Sequence, residues 1–204
     1  MKTAAALLAA YLIGSISFGY LAGKLLKGID IRKYGSGNAG TTNIQRTLGT
    51  LPALIVLFLD ISKGWLAVWL AGVLTGSETV PLAAGLAAIM GHNWPLFFKF
   101  RGGRGIATSI GVMLGVAPLV LLIAGGIGVT LIAITRYVSL GSITGAFTIP
   151  ILMILFHLPP LQIAFGTGIA VMAIWRHREN ISRLLQGTEN KLGSKVNLGN
   201  EAKK

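Results

Sequence analysis

The sequence predicts an all-α polytopic membrane protein with seven transmembrane helices, its N-terminus outside and its C-terminus in the cytoplasm. Of its 204 residues, 53% are hydrophobic and only 12% are charged, whereas a soluble domain carries about 25% charged residues. Several apolar segments are long enough to cross a bilayer, which takes about 20 helical residues. The basic residues cluster in the segments between them, and this clustering indicates how the chain is oriented.

Three helices are expected in the first half of the chain. The first covers about Thr3–Gly23. Because its stronger positive flank follows the apolar segment, we expect an uncleaved helix whose N-terminus lies outside. The second covers about Gly49–Thr75 and contains Asp60 and Lys63, which are expected to pair because single charges are costly in hydrocarbon. The third covers about Val80–Phe98.

Four helices are expected in the second half. Residues 106–135 form an apolar segment of 30 residues that Ala117-Pro118 interrupts. This length is too great for one ordinary span and just sufficient for two short ones. The sixth helix covers about Leu140–Leu158 and the seventh about Leu161–Trp175, with a turn at Pro159-Pro160 between them.

Charge decides between one long helix and two short helices over residues 106–135. Two short helices place 16 of the 18 basic residues on one side of the membrane, whereas one long helix moves Arg136 and the basic tail to the other side. Because Lys and Arg collect in cytoplasmic loops, we predict seven spans. Residues 1–186 form the predicted transmembrane domain, with cytoplasmic loops at 24–48, 99–105, 136–142 and 176–186. Residues 187–204 are predicted to be a polar, partly disordered tail.

Composition also excludes several kinds of chemistry. The chain has no cysteine, so disulfides, thiolate metal sites and thioester intermediates are absent. The net charge of +12 follows from the basic cytoplasmic loops of a membrane protein, and it does not indicate nucleic-acid binding.

The segment Gly35–Asn43 is a loop rich in glycine, hydroxyl and amide groups beside the apolar segments. Such a loop can turn several backbone N–H groups toward one anion, and a helix after it would add its positive dipole end. Residues 35–40 also match the G-x-G-x-x-G dinucleotide pattern, but no strand precedes them. Residues 35–42 resemble a Walker A loop in which Thr41 replaces the required lysine. A flexible inter-helical loop is the simpler alternative.

Two further basic clusters are predicted on the same side. Arg101 and Arg104 alternate with glycines and suit bidentate phosphate binding, although a positive-inside anchor is the simpler interpretation. In the third cluster His177 and Asn180 lie three residues apart, on one face of a helix. Binding of anionic lipid heads would explain the arginines there but not Asn180.

Together these motifs resemble the bacterial integral-membrane glycerol-3-phosphate acyltransferases that use acyl-phosphate as donor. The resemblance covers the chain from Gly14 to Gly193 in five ordered blocks. The matching blocks are Gly35–Asn43 with Arg46, Asp60–Gly64, Gly91–Thr108, Arg136–Leu140 with Ser142, and Arg176–Leu185 with residues 187–189. One departure is that Arg101 and Arg104 stand where the family commonly has lysines.

The resemblance implies an inner-membrane enzyme with a cytoplasmic active site. It would move an acyl group from acyl-phosphate to the 1-hydroxyl of glycerol-3-phosphate, giving 1-acyl-glycerol-3-phosphate (lysophosphatidic acid) and phosphate, the first step of phospholipid synthesis. It implies no cofactor and no metal. The expected partners are the two substrates, membrane lipid and the enzyme that produces the acyl-phosphate.

The resemblance also implies roles for individual residues. The expected acyl-phosphate site comprises Gly35, Ser36, Gly37, Asn38, Gly40, Thr41, Thr42, Asn43 and Arg46. The expected glycerol-3-phosphate site comprises Arg104, Ser142, His177 and Asn180. The expected supporting residues are Asp60, Lys63, His92 and Arg101. On the sequence alone, the two substrates could also occupy these two sites the other way round.

No residue is a certain catalyst, because acyl-phosphate already carries a good leaving group and positioning can suffice. The His-x-x-x-x-Asp motif of other glycerolipid acyltransferases does not occur after any histidine of this chain. Either His177 acts as base or the phosphate of the donor accepts the proton, and we favour the donor phosphate. A transporter of phosphate or glycerol-3-phosphate is the main alternative, but transporters bind near the midplane between repeats. A lipid-binding scaffold without turnover is a weaker alternative.

Overall fold

The computed structural model describes residues 1–194 and is helical throughout this part of the chain, where no strand occurs. The predicted basic tail beyond it, with Lys195, Lys203 and Lys204, lies outside the described residues. The α-helices are α1 (Lys2–Gly14), α2 (Phe18–Lys27), α3 (Thr41–Leu48), α4 (Thr50–Thr75), α5 (Val80–Asn93), α6 (Ile106–Val116), α7 (Pro118–Thr135), α8 (Val138–Leu155), α9 (Pro160–Arg176) and α10 (Arg178–Leu185).

The predicted first helix is broken into α1 and α2 at Ser15–Ser17. Gly14 is the last residue of α1 before this break, and contacts from elsewhere in the fold stabilise the break. The Lys63 ammonium donates to the Ile16 carbonyl at 2.7 Å, and the Ser15 hydroxyl accepts from the Leu96 N–H at 3.3 Å. Lys63 thus satisfies a backbone carbonyl that an unbroken helix would have paired internally.

The segment predicted as a loop over residues 24–48 contains two short helices. A 3-10 turn covers Ile31–Lys33, and α3 begins directly after Gly40. The glycine-rich loop is therefore followed by a helix, as the anion-nest hypothesis requires. The first N–H groups of α3 face the end of the loop and have no intrahelical partners.

The remaining helices follow the predicted order with adjusted ends. Residues 106–135 form two helices, α6 and α7, as predicted, and Ala117 lies between them in a non-helical conformation. Helix α5 ends at Asn93, five residues before the predicted Phe98, because Pro95 follows and forces its neighbour out of the α region. A 3-10 turn over Leu96–Phe98 continues the chain.

Close helix packing accounts for several of the glycines. Helices α1 and α5 approach so closely that a Cβ on Gly14 would lie 2.1 Å from the Ala88 carbonyl oxygen. Helices α4 and α6 do the same at Gly111, where a Cβ would lie 1.8 Å from the Ile61 carbonyl oxygen. Small residues allow such contacts between membrane helices, where dispersion replaces the hydrophobic effect.

Four helical segments are long and apolar enough to cross a membrane within residues 1–194. They are Lys2–Lys27, Thr50–Thr75, Pro118–Thr135 and Val138–Leu155, and α6 is a shorter apolar helix. The starts of α4, α6 and α8 and the ends of α5, α7 and α9 meet at one end of this antiparallel bundle. All the sequence clusters with predicted phosphate chemistry lie at that end.

Candidate active site

A cavity of about 390 Å³ opens at the end of the bundle where the three polar sequence clusters meet. The loop before α3 and α3 itself form one wall. A second loop with several glycines, residues 101–105, which we call the glycine loop, contributes Arg104. The junction of α9 and α10 contributes His177 and Asn180. Segments that are more than a hundred residues apart in sequence thus share one cavity.

Asn43 holds the glycine-rich loop in shape. Its amide nitrogen donates to the carbonyls of Ile31, Tyr34 and Asn38 at 3.2, 3.0 and 2.9 Å. Its amide oxygen accepts the Ser36 N–H at 3.0 Å. Because both ends of this buried amide are occupied, the predicted direct contact between Asn43 and acyl-phosphate is replaced by a structural role.

The loop keeps other donors free for a ligand. Gly37 lies at φ 69°, a left-handed conformation that glycine adopts without strain. The Asn38 amide oxygen accepts the Gly40 N–H at 2.8 Å, and its amide nitrogen has no protein partner within the described residues. The Thr41 hydroxyl is buried at the start of α3, also without a partner there. Together they form a polar wall suited to an anion.

Arg46 on α3 is buried, with 9% of its surface exposed. One of its terminal nitrogens donates to the Asn190 carbonyl at 3.1 Å, while its Nε is buried and unpartnered. No carboxylate pairs with it within residues 1–194. A buried guanidinium with only a neutral partner favours an added anion, because an uncompensated charge is costly to bury.

Arg104 lies on the opposite wall of the cavity and is half-buried. Its side chain makes no hydrogen bond or ion pair in the described part of the chain. Burial lowers the pKa of its guanidinium to about 10, which still leaves it charged at neutral pH. The cavity therefore holds two unpaired guanidinium groups, on walls contributed by different segments.

His177 ends α9 and is 3% exposed. Its Nδ1 lies 2.8 Å from the Ala173 carbonyl oxygen. A carbonyl can only accept, so Nδ1 carries the proton and Nε2 is left as an acceptor. Burial lowers the pKa of His177 to about 4, and the imidazole is neutral at physiological pH.

Asn180 presents an acceptor from the first turns of α10. Its amide nitrogen donates to Glu189 Oε1 at 2.7 Å, which fixes the orientation of the amide. The amide oxygen is buried and has no partner in residues 1–194. A buried unpaired acceptor on a cavity wall suits a hydroxyl donor, because leaving it unpaired costs the desolvation free energy.

Glu189 is a site residue that we did not identify from the sequence. Besides Asn180, its carboxylate accepts from the Ser139 hydroxyl at 3.0 Å and from Arg183 Nε at 2.7 Å. Burial raises the pKa of Glu189, but these three hydrogen bonds outweigh that effect and hold it below its ordinary value. Glu189 is also the residue that forms an ion pair with Arg183. The available signal was an acidic residue close to the basic cluster of Arg176, Arg178 and Arg183.

The residues that follow α10 pack against the bundle and form part of the cavity wall. The Leu192 N–H donates to the Arg136 carbonyl at 2.7 Å, and the Arg136 guanidinium donates to the Leu192 carbonyl at 3.0 Å. We call residues 187–194 the strap. Because Glu189 and Leu192 line the cavity, this part of the predicted tail is ordered against the bundle.

Ser142 lies outside this cavity. It lines a neighbouring apolar cavity of about 130 Å³ between α6, α7, α8 and α9. Ser139, nearly one turn earlier in α8, lines the active-site cavity. The two cavities share the side chains of Ile106, Ile110 and Ile132. A polar cavity thus continues into an apolar one inside the helix bundle.

The supporting residues form a buried layer beneath the cavity. Asp60 and Lys63 pair at 2.7 Å, as predicted, and His92 Nδ1 lies 3.5 Å from the Asp60 carboxylate. The His92 ring packs against Gly103 so closely that a Cβ there would lie 2.0 Å from His92 Nε2. His92 therefore fixes the glycine loop that carries Arg104. The Arg101 side chain is exposed and takes no part in this layer.

The family comparison agrees along nearly the whole chain. A sequence model of the family described as "Glycerol-3-phosphate acyltransferase" matches residues 4–187. A glycerol-3-phosphate acyltransferase of Thermoanaerobacter sp. (strain X514) is 52% identical over 189 residues, which are 93% of this chain and 95% of that protein. Another, of Shouchella clausii (strain KSM-K16), is 50% identical over 197 residues, covering 94% and 96% of the two chains.

Two solved structures share the fold. The glycerol 3-phosphate form of PlsY (YgiH), an integral membrane glycerol 3-phosphate acyltransferase, superposes with a TM-score of 0.89 at 39% identity. Its lysophosphatidic acid form superposes with a TM-score of 0.86 at 39% identity. In both cases the match covers 95% of this chain and 97% of the other.

Proposed function

This chain belongs to the glycerol-3-phosphate acyltransferase family, and we propose that acyl-phosphate is the donor of the acyl group that it transfers to glycerol-3-phosphate. The observation that carries the proposal is the pair Arg46 and Arg104. Each lines the same cavity from a different segment, and neither has a carboxylate partner within residues 1–194. Two guanidinium sites match a reaction in which both substrates bear a phosphate.

We assign the wall before and within α3 to the acyl-phosphate head. Asn38, Thr41 and Arg46 supply its hydrogen-bond donors, and the start of α3 adds its positive dipole end. The apolar cavity beside Ile106 and Ile110 is continuous with this wall and offers surface for an acyl chain. A donor with a charged head and an apolar tail would place its head at the α3 wall and its tail in the apolar cavity.

Glycerol-3-phosphate is assigned to the opposite wall. Arg104 would hold its phosphate, and the unpartnered amide oxygen of Asn180 would accept the hydrogen bond of its 1-hydroxyl. His177 Nε2 is a second acceptor on the same wall. Glu189 acts through Asn180, because its carboxylate holds the amide nitrogen and leaves the amide oxygen for the substrate.

The transfer then needs little from the protein beyond alignment. The hydroxyl oxygen forms a bond to the acyl carbon, the bond between that carbon and the phosphate oxygen breaks, and phosphate leaves. The hydroxyl proton passes to the departing phosphate, giving 1-acyl-glycerol-3-phosphate and inorganic phosphate. A histidine with a pKa near 4 is a weak base, so it serves better as an oriented acceptor than as the final proton carrier.

The His177→Ala variant tests this division of roles. We expect it to lower kcat/KM for glycerol-3-phosphate by about tenfold to a hundredfold, mainly through KM, because it removes an orienting acceptor. Steady-state kinetics between about pH 5 and 8 provide the measurement. Because the imidazole is neutral over this whole range, its titration should not appear, and an acid limb near pH 6 would belong to the substrate phosphate. Loss of kcat with KM unchanged would support His177 as base and contradict the proposal.

The proposed orientation places the cavity at the cytoplasmic face of the bacterial inner membrane. We propose seven spans, formed by the α1–α2 pair, α4, α5, α6, α7, α8 and α9, with the N-terminus outside. The basic loops that surround the cavity support this orientation, since such loops are retained in the cytoplasm. The cytoplasm is also where a water-soluble phosphorylated substrate and an acyl-phosphate-producing enzyme would meet the membrane.

The direct test is a donor-resolved activity assay. Purified protein in lipid nanodiscs would be incubated with glycerol-3-phosphate and either palmitoyl-phosphate or palmitoyl-CoA, and lysophosphatidic acid would be measured by mass spectrometry. We expect product and stoichiometric phosphate only with palmitoyl-phosphate and glycerol-3-phosphate together. Product from palmitoyl-CoA alone would overturn the donor assignment while leaving the family's acceptor chemistry intact.

A further inference from the structure

A second polar cavity of about 330 Å³ lies on the solvent side of the active-site cavity and adjoins it. We call it the vestibule. The two cavities share Ser36, Asn38 and Arg104. Its lining holds six cationic side chains against two carboxylates, those of Asp30 and Glu179. The cationic side chains are those of Arg32, Lys33, Arg101, Arg104, Arg176 and Arg178.

Some of these cations shape the walls of the vestibule. Arg32 pairs with Asp30 at 2.8 Å and also donates to the Phe98 carbonyl at 2.7 Å. Arg176 donates to the Gly103 carbonyl at 2.6 Å and lies over the Trp94 ring. These contacts tie the α2–α3 segment, the glycine loop and α9 together, so the vestibule is a built cavity between three segments.

Other cations there have no structural partner. The side chains of Lys33 and Arg101 are exposed and make no hydrogen bond or ion pair in the part of the chain that the structure describes. Both line the vestibule together with Arg104, whose side chain is likewise unpaired in the described part of the chain. An excess of positive charge in a cavity with protein walls raises the local concentration of a dianion.

We propose that the vestibule is the aqueous route by which small phosphate dianions, glycerol-3-phosphate entering and inorganic phosphate leaving, pass to and from the active site. The inference rests on the proposed function, because it assigns the two substrates different entrances. The acyl chain is apolar and reaches the site through the apolar cavity and the bilayer. Glycerol-3-phosphate comes from water and meets Lys33 and Arg101 before Arg104.

The test is a double variant, Lys33→Gln with Arg101→Gln, assayed in nanodiscs of neutral lipid across ionic strength. At about 20 mM ionic strength we expect kcat/KM for glycerol-3-phosphate to fall roughly 5- to 20-fold, and at about 0.5 M the difference from wild type should shrink below about twofold. The KM for palmitoyl-phosphate should not change. Added inorganic phosphate, tested as an inhibitor competing with glycerol-3-phosphate, should show a Ki raised by a similar factor.

The matched control is Lys24→Gln with Lys27→Gln, which removes the same charge from exposed positions on α2 outside the vestibule. This control should keep the wild-type salt profile. Equal kcat/KM in the test variant and in wild type at low salt, or a loss that salt does not reduce, would overturn the proposal. If kcat/KM for glycerol-3-phosphate falls while the Ki of inorganic phosphate does not change, the vestibule is not the route by which phosphate leaves. Failure of the donor assignment would appear separately, as an inactive wild-type protein.

Discussion

Replacing Arg104 with methionine should lower kcat/KM for glycerol-3-phosphate by about a hundredfold to a thousandfold. Arg104 is half-buried in the cavity wall, and its guanidinium has no partner among residues 1–194. Its pKa of about 10 leaves only roughly one molecule in a thousand neutral at pH 7. The variant therefore removes a full positive charge from the place where the substrate phosphate is proposed to bind, and steady-state kinetics with both substrates varied would measure the loss.

Arg104→Lys is the matched control. It keeps the charge but loses the bidentate fork. We expect activity within about tenfold of wild type. Both variants should keep the wild-type melting temperature in detergent, because Arg104 makes no hydrogen bond to the described part of the protein. Activity of Arg104→Met equal to that of Arg104→Lys would show that this charge does not bind substrate.

Replacing Arg46 with methionine should be equally severe but should act on the other substrate. We expect kcat/KM for palmitoyl-phosphate to fall by about a hundredfold or more, because the buried guanidinium faces the proposed donor phosphate. The protein should still fold and insert, since within residues 1–194 Arg46 donates a single hydrogen bond, to Asn190. Thermal unfolding and size-exclusion chromatography would check this.

The two arginine variants together decide which anion site is which. If each substrate's KM responds to one arginine only, the assignment of two separate phosphate sites holds. A KM for glycerol-3-phosphate that responds to Arg46, with palmitoyl-phosphate responding to Arg104, would require the two assignments to be exchanged. Equal responses of both substrates to both variants would contradict two separate sites.

Features encoded locally were predictable from the sequence. Pro118 marks the break between α6 and α7, and basic side chains mark the end of the bundle where the cavity lies. The pairing of Asp60 with Lys63 could be predicted because two opposite charges one turn apart within an apolar helix have few other polar partners. The three clusters that meet in the cavity were identified from glycine, arginine, histidine and asparagine content alone.

Features that depend on tertiary contacts were missed. The break between α1 and α2 depends on Lys63, which lies on another helix and reaches the Ile16 carbonyl. Ser142 was expected at the glycerol-3-phosphate site from the resemblance, and its place in the apolar cavity depends on how α8 packs against its neighbours. Asn43 was expected to bind substrate, since the sequence cannot show that its amide is already occupied by the loop around it. Glu189 was missed because its partners lie on α8 and α10.

The strap has a consequence for the biosynthesis of the enzyme. Chains are made from the N-terminus, and Glu189 and Leu192, which complete the cavity wall, follow the last membrane helix along the chain. A nascent chain can therefore insert every apolar helix before Asn180 is oriented for substrate. Acylation competence should arise only after the last membrane helix is in place, so incomplete chains in the bilayer would not consume substrate.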